Sequence, residues 1–157
     1  MLYIKKSDGR YRQADEDDVI CEATSIYNRY FTKGTTITEP AKSAEYLKLK
    51  LAHYEHEVFA CLFLNNKHQV IACDEMFHGT IDAASVYPRE VLKAALTHNA
   101  AAVVFAHNHP SGIAEPSNAD KAITQKLKSA LALIDIRVLD HIIVADDTYS
   151  FAQHGLL

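Results

Sequence analysis

At 157 residues the chain is long enough for one sizeable hydrophobic core and too short for two full domains. With 48% hydrophobic and 23% charged residues it has the composition of a folded globular protein and lies outside the disordered class. The formal net charge of −4 provides no sequence-wide positive field for nucleic acid phosphates. No apolar run is long enough to span a bilayer, and the polar stretch Met1 to Arg12 has no signal-peptide pattern, so the expected compartment is the cytoplasm with no membrane partner.

Residues 2–13 predict a short hairpin, with Tyr3 and Ile4 on one side of a Ser7-Asp8-Gly9 turn and Tyr11 on the other. Asp15 to Phe31 predicts an amphipathic helix: acidic residues fill its first turn, and Val19, Ile20, Ala23, Ile26, Tyr27 and Tyr30 recur at helical spacing. Thr32 to Pro40, broken by Gly34 and Pro40, reads as a linker. Ser43 is expected to cap a helix running to about His53. The continuous apolar run Val58 to Leu64 predicts a central strand buried on both faces, and the Asn65-Asn66-Lys67 turn leads into a returning strand from Gln69 to Phe77.

Pro88 suits the first position of a helix over Arg89 to His98, which Asn99 ends. Ala101 to Ala106 predicts a short buried strand that runs into His107-Asn108-His109-Pro110-Ser111-Gly112. A second long helix begins at Ser117, with Ile123, Leu127, Ala130, Leu131 and Ile134 on one face and Lys121, Gln125 and Lys128 outside. Ile136 to Ala145 and Thr148 to Phe151 predict two closing strands joined at Asp146-Asp147. From about residue 43 the order is α-β-β-α-β-α-β-β, the layout of an α/β sandwich. The three widely spaced cysteines, Cys21, Cys61 and Cys73, read as buried thiols.

The chemistry starts with the paired histidines. Residues two apart on a strand point the same way, so His107 and His109 share a face while Asn108 points away. Asp120 lies eleven positions later, in the first turn of the next helix, where the positive end of the dipole favours an ionised carboxylate. Two imidazoles and one carboxylate leave a fourth tetrahedral position for water, the pattern of a catalytic zinc site with one Zn2+ per chain. Two neutral nitrogens are poor ligands for magnesium, while iron and manganese remain alternatives. Taken alone, Ser117-Asn118-Ala119-Asp120 fits helix capping better than metal binding. The conjunction with His-x-His across a strand-loop-helix unit is what brings the metal reading level with it.

At these residues the chain resembles the JAMM (MPN-plus) metalloprotease family, whose signature is a distant Glu, then His-x-His, seven residues, and Ser-x-x-Asp. Glu57, His107-Asn108-His109, residues 110–116 and Ser117-Asn118-Ala119-Asp120 fit it without a gap. More narrowly it is similar to the bacterial RadC family through His107 to Gly112, Pro88-Arg89-Glu90-Val91 and Val138-Leu139-Asp140-His141-Ile142-Ile143. The resemblance covers roughly residues 39–157, a RadC-like JAB/MPN metallohydrolase domain, and leaves residues 1–38 as an appendage that docks on the sandwich or mediates self-association, as in a homodimer.

The resemblance implies a cytidine-deaminase-like, JAB/MPN three-layer sandwich with a central mixed sheet flanked by helices. It also selects Glu57 as general base from among Glu45, Glu55, Glu57, Glu75 and Glu90, and gives Ser117 an oxyanion-stabilising role. The implied reaction is hydrolysis of a peptide or isopeptide bond in a peptide or protein substrate: the ion acidifies its water, and Glu57 moves the proton to the leaving amine.

The alternative is a metal-binding, DNA-repair-associated factor of RadC type, whose nucleic acid partner the net charge does not support. Longer RadC-like proteins carry a helix-hairpin-helix segment, and no Gly-rich hairpin of that kind is found here. A non-catalytic binding module of the same fold predicts a broken ligand set, whereas this one is intact. A zinc deaminase needs His-x-Glu followed by Pro-Cys-x-x-Cys, a combination that is absent. Asp140-His141 reads as a hydrogen-bonded structural pair, and His53, His56, His68, His78, His98 and His154 as solvated or capping residues.

Overall fold

The computed structural model describes residues 1–5, 7–30, 33–37, 40–79 and 85–157. It divides into two units, residues 1–31 and 32–157.

In the first unit, β1 (Tyr3–Lys5) pairs antiparallel with β2 (Tyr11–Gln13), Tyr3 standing opposite Gln13. The turn closes on Gly9, whose φ of +83° is the left-handed conformation that glycine adopts without steric cost. The helix α1 (Glu16–Tyr30) follows, one residue later than the sequence predicts. Asp15 is spent on capping: its carboxylate accepts from the Asp18 N–H at 2.9 Å, and the Asp18 carboxylate accepts from the Asp15 N–H at 3.0 Å. The Arg12 guanidinium also pairs with Asp18. Phe31, Thr32 and the side chains of Tyr27, Tyr30 and Pro40 lie outside the described residues. Cys21 is exposed, contrary to the expectation of a buried thiol, because helical periodicity shows a face without showing what covers it. Cys61 is buried and Cys73 half-buried.

The second unit starts with residues 34–37 running beside residues 68–70: the Gly34 N–H donates to the Val70 carbonyl and the Ile37 N–H to the His68 carbonyl, each at 2.8 Å. The helix α2 spans Pro40–Leu51, beginning three residues before the predicted cap. Proline has no N–H to lose in a first turn, so Pro40 starts this helix rather than ending the linker, and Ser43 lies buried within it.

Thereafter come β3 (Val58–Leu64), β4 (Val70–His78), α3 (Pro88–Thr97), β5 (Ala102–Asn108), α4 (Asn118–Ala132), β6 (Arg137–Val144) and β7 (Thr148–Ser150). The sheet order is β4-β3-β5-β6-β7, with β5 and β6 parallel and every other neighbour antiparallel. The run Val58 to Leu64 is buried along its whole length as expected, although β5 rather than β3 stands at the middle of the sheet.

Alternation along β3 and β5 distributes two cores. Phe59, Cys61, Phe63, Val103 and Phe105 meet Val91 and Ala95 of α3 and Leu127 and Leu131 of α4 on one face. On the other face α2, through its buried Tyr46, Leu47 and Leu51, lies along β5, β6 and β7. The result is the expected α/β sandwich, a mixed sheet between helical layers. A parallel pair requires a crossover, and α4 provides it between β5 and β6, which brings its N-terminus back to the end of β5.

Candidate metal centre

β5 runs two residues further than the apolar pattern predicts, so His107 and Asn108 are strand residues. His107 is 1% exposed, on the face shared with Phe105, its ring stacked 6.3 Å from that of Phe59. His109 lies one residue past the strand, but its N–H still donates to the Val144 carbonyl at 2.8 Å, which keeps the backbone extended. The two imidazoles therefore come to one side, as the two-residue spacing requires. Beyond them the chain turns at Gly112, where φ is +80° and an added Cβ would meet the Asp146 carboxylate at 3.1 Å. That turn returns the chain to Ser117, the N-cap of α4.

Ser117 and Asp120 form a reciprocal capping box: the Asp120 N–H donates to Ser117 Oγ at 3.1 Å, and the Ser117 N–H donates to Asp120 Oδ2 at 2.7 Å. The Ser117 hydroxyl donates to the same Oδ2 at 2.6 Å. Capping and ligand placement are thus one arrangement, because the cap aims the Asp120 carboxylate at the histidines. His107 Nε2 lies 2.9 Å from His109 Nε2 and 3.3 Å from Asp120 Oδ1, and His109 Nε2 lies 3.5 Å from Asp120 Oδ2. Around a tetrahedral zinc with bonds near 2.0–2.1 Å, neighbouring ligand atoms stand about 3.3–3.4 Å apart. The His107–His109 and His107–Asp120 distances lie near that edge, and with one ligand atom from each residue all three fall within 4.8 Å of one another, so these residues could hold a metal ion.

The electrostatics agree. Burial alone would raise the Asp120 carboxyl, but hydrogen bonds from His107, His109 and Ser117 outweigh it and hold the group far below the ordinary carboxylate range. His109 is pushed up, chiefly by its bond to Asp120 and against its own burial, with the charge of Glu57 adding to the effect. Glu57, half-buried just ahead of β3, thus acts electrostatically on the same centre, while Glu55 is exposed.

A family model described as a RadC-like JAB domain matches residues 37–156. The chain belongs to this family. It is 57% identical over 146 residues to a UPF0758 protein of Vibrio cholerae, covering 93% of this chain and 92% of that one. A second UPF0758 protein of Vibrio cholerae is 50% identical over 148 residues, covering 94% of each chain. A UPF0758 protein of Nitrosococcus oceani is 64% identical over 126 residues, or 80% of this chain and 56% of its own length. The chain therefore spans nearly all of the Vibrio relatives and little more than half of the Nitrosococcus protein.

Three further residues build this RadC-like site, and sequence reasoning did not assign them to it. Asn108, which points away from the metal centre, clamps the segment that carries Glu57: its Oδ1 accepts from the Val58 N–H at 2.7 Å, and its Nδ2 donates to the carbonyls of Tyr54 at 3.2 Å and His56 at 2.9 Å. His141 and Thr124, both fully buried, stand behind His107. His107 Nδ1 lies 2.8 Å from His141 Nε2, and His141 Nδ1 lies 2.6 Å from Thr124 Oγ1.

Asp140 is structural, as expected: it accepts from the Ser150 hydroxyl at 2.6 Å and the Ala152 N–H at 3.0 Å. His98 is the C-cap of α3, one of its two expected roles, and its ring also pairs with Asp74 at 2.6 Å and lies against Phe63. Two clefts meet at His109. One, of about 870 Å³, is lined by Tyr54, His56 and Pro110, the other, of about 500 Å³, by Ile113, Ser117 and Lys121. Among the described residues no helix is long and apolar enough to cross a membrane.

Proposed function

We propose that this RadC-like chain is a zinc-dependent metallopeptidase that hydrolyses a peptide or isopeptide bond in a peptide or protein substrate. The observation that carries the reading is the convergence of His107, His109 and Asp120 within reach of the charge of Glu57. Two imidazole nitrogens and a carboxylate favour zinc over a harder cation. The bound ion supplies Lewis acidity toward the scissile carbonyl and toward water. Glu57 accepts the proton of the attacking water and passes it to the leaving amine. Ser117, exposed at the mouth of the site, holds Asp120 in the free protein, and its hydroxyl serves the oxyanion as charge develops there. An extended segment laid through both clefts would pass His109.

The test is metal analysis followed by peptide-library cleavage, comparing the natural chain with Glu57→Gln and His107→Ala. About one zinc per chain is expected in the natural protein and in Glu57→Gln, with cleavage lowered by roughly 10²–10⁴ in the latter. His107→Ala loses the metal. Zinc far below one equivalent, unchanged on replacing His107 and His109, refutes the reading.

A further inference from the structure

We infer that Thr124 and His141 are positioning residues that fix the tautomer of His107 through a one-way chain of hydrogen bonds anchored on the backbone of Asp120. The inference rests on the metal centre described above. It concerns this chain's own side chains.

The direction follows from counting protons. Thr124 Oγ1 lies 2.6 Å from the Asp120 carbonyl oxygen, one helical turn back, and 2.6 Å from His141 Nδ1. A carbonyl oxygen has nothing to donate, so a contact that short needs the single hydroxyl proton of Thr124 between the two oxygens. With that proton committed, Thr124 Oγ1 can only accept from His141, and His141 Nδ1 carries the hydrogen. A neutral His141 then presents a lone pair at Nε2, which accepts from His107 Nδ1 at 2.8 Å. His107 Nε2 is then the nitrogen that faces Asp120 and His109. His109 arrives at the same state by a shorter route, since its Nδ1 donates to the Ile113 carbonyl at 2.8 Å.

In both rings the hydrogen of the neutral form is therefore committed at Nδ1, so that Nε2 is the nitrogen that gives up its proton to receive a cation. That is the condition in which a cation binds. The opposite tautomer of His107 would put an N–H where the metal goes. It would also leave buried acceptors facing each other along the chain, a cost the interior does not offset. The anchor matters as well: the chain ends on the backbone of the residue whose side chain is the third ligand, so α4, His141 and His107 are set relative to one another by one path.

Two measurements test the inference on the full chain. Nitrogen NMR of the natural protein should show His107 protonated at Nδ1 with and without metal, and bare at Nε2 once zinc is bound. Chelator competition should show zinc affinity falling by ~10-fold or more in Thr124→Val, which keeps the side-chain shape, with Thr124→Ser restoring it to within about 2-fold. In Thr124→Val the His107 nitrogens should report mixed tautomers while circular dichroism and thermal melting stay those of a folded protein. His107 found without a hydrogen on Nδ1 in the natural protein overturns the inference, whatever the variants do. So does an unchanged affinity in a folded Thr124→Val, and that result leaves the metal centre standing. A natural protein that binds no zinc removes both.

Discussion

The two units of this molecule are held by different physics. Among the described residues of 1–30 none is buried: the hairpin and α1 are secured by the Gly9 turn, the Asp15–Asp18 cap and the Arg12–Asp18 pair, with Ile20 55% exposed. Residues 32–157 bury complete strands, β3 and β5 having no exposed position. Short local bonds define a shape with little cooperative strength, whereas a shared core holds side chains to the tolerance a metal site needs. The candidate centre accordingly stands at the end of β5, one of these two fully buried strands.

The largest effect that sharpens this contrast comes from truncating one apolar side chain on each side of it. Phe105 touches Phe59 and His141 at ring separations of 5.6 and 5.8 Å and is fully buried, so Phe105→Ala should cost about 3–5 kcal/mol in chemical denaturation. Ile20→Ala, on exposed α1, should stay within about 0.5 kcal/mol. Comparable losses in the two variants would show that the first unit owns a core of its own and would break the comparison.

A smaller effect probes how the rigid unit positions its functional segment. Asn108→Ala strips partners from the Val58 N–H and from the carbonyls of Tyr54 and His56, and a buried donor left unsatisfied costs about 1–3 kcal/mol. Since Asn108 is not a ligand, zinc stoichiometry should hold while cleavage falls together with the order around Glu57. Loss of the metal in this variant would mean that the clamp supports the ligands as well as the base.

What was legible in the sequence divides along the same line between local and distant causes. His107, His109 and Asp120 could be read because strand alternation and a helix cap are local rules, and the fold brings all three together. Ser43 misled because serine also sits inside helices, and the rule that Pro starts a first turn outweighed it at Pro40. Thr124 and His141 were beyond reach for a sharper reason. The register of β6 against β5 is irregular between Val103 and Val104, so that Val103 faces Val138 but Val104 faces Asp140. Strict alternation from Val138 would send His141 to the opposite face of the sheet. The extra residue turns it toward Phe105, His107 and α4. Pairing across strands made that choice, and nothing in the local pattern of Val138 to Ile143 encodes it. The Asn108 clamp, fifty residues from Val58, is hidden for the same reason.

The smallest effect lies in the first unit and concerns pH. Hydrogen bonding from the Arg12 guanidinium, followed by the Asp15 backbone N–H, pulls the Asp18 carboxyl down to about 2. A folded-state value below the unfolded one, near 3.9, means the unfolded chain binds the proton more readily. The contribution of Asp18 is therefore complete above that unfolded value and is lost as pH falls through about 2. Carbon NMR of the Asp18 carboxyl should give that low midpoint, and Arg12→Ala should return it toward the ordinary carboxylate range. Because the pair is at the surface, added salt should have the same direction of effect in the natural chain. A natural Asp18 titrating like a free carboxylate would mean that the hairpin and α1 are not joined by this pair. The first unit would then have to be held by its turn and cap alone.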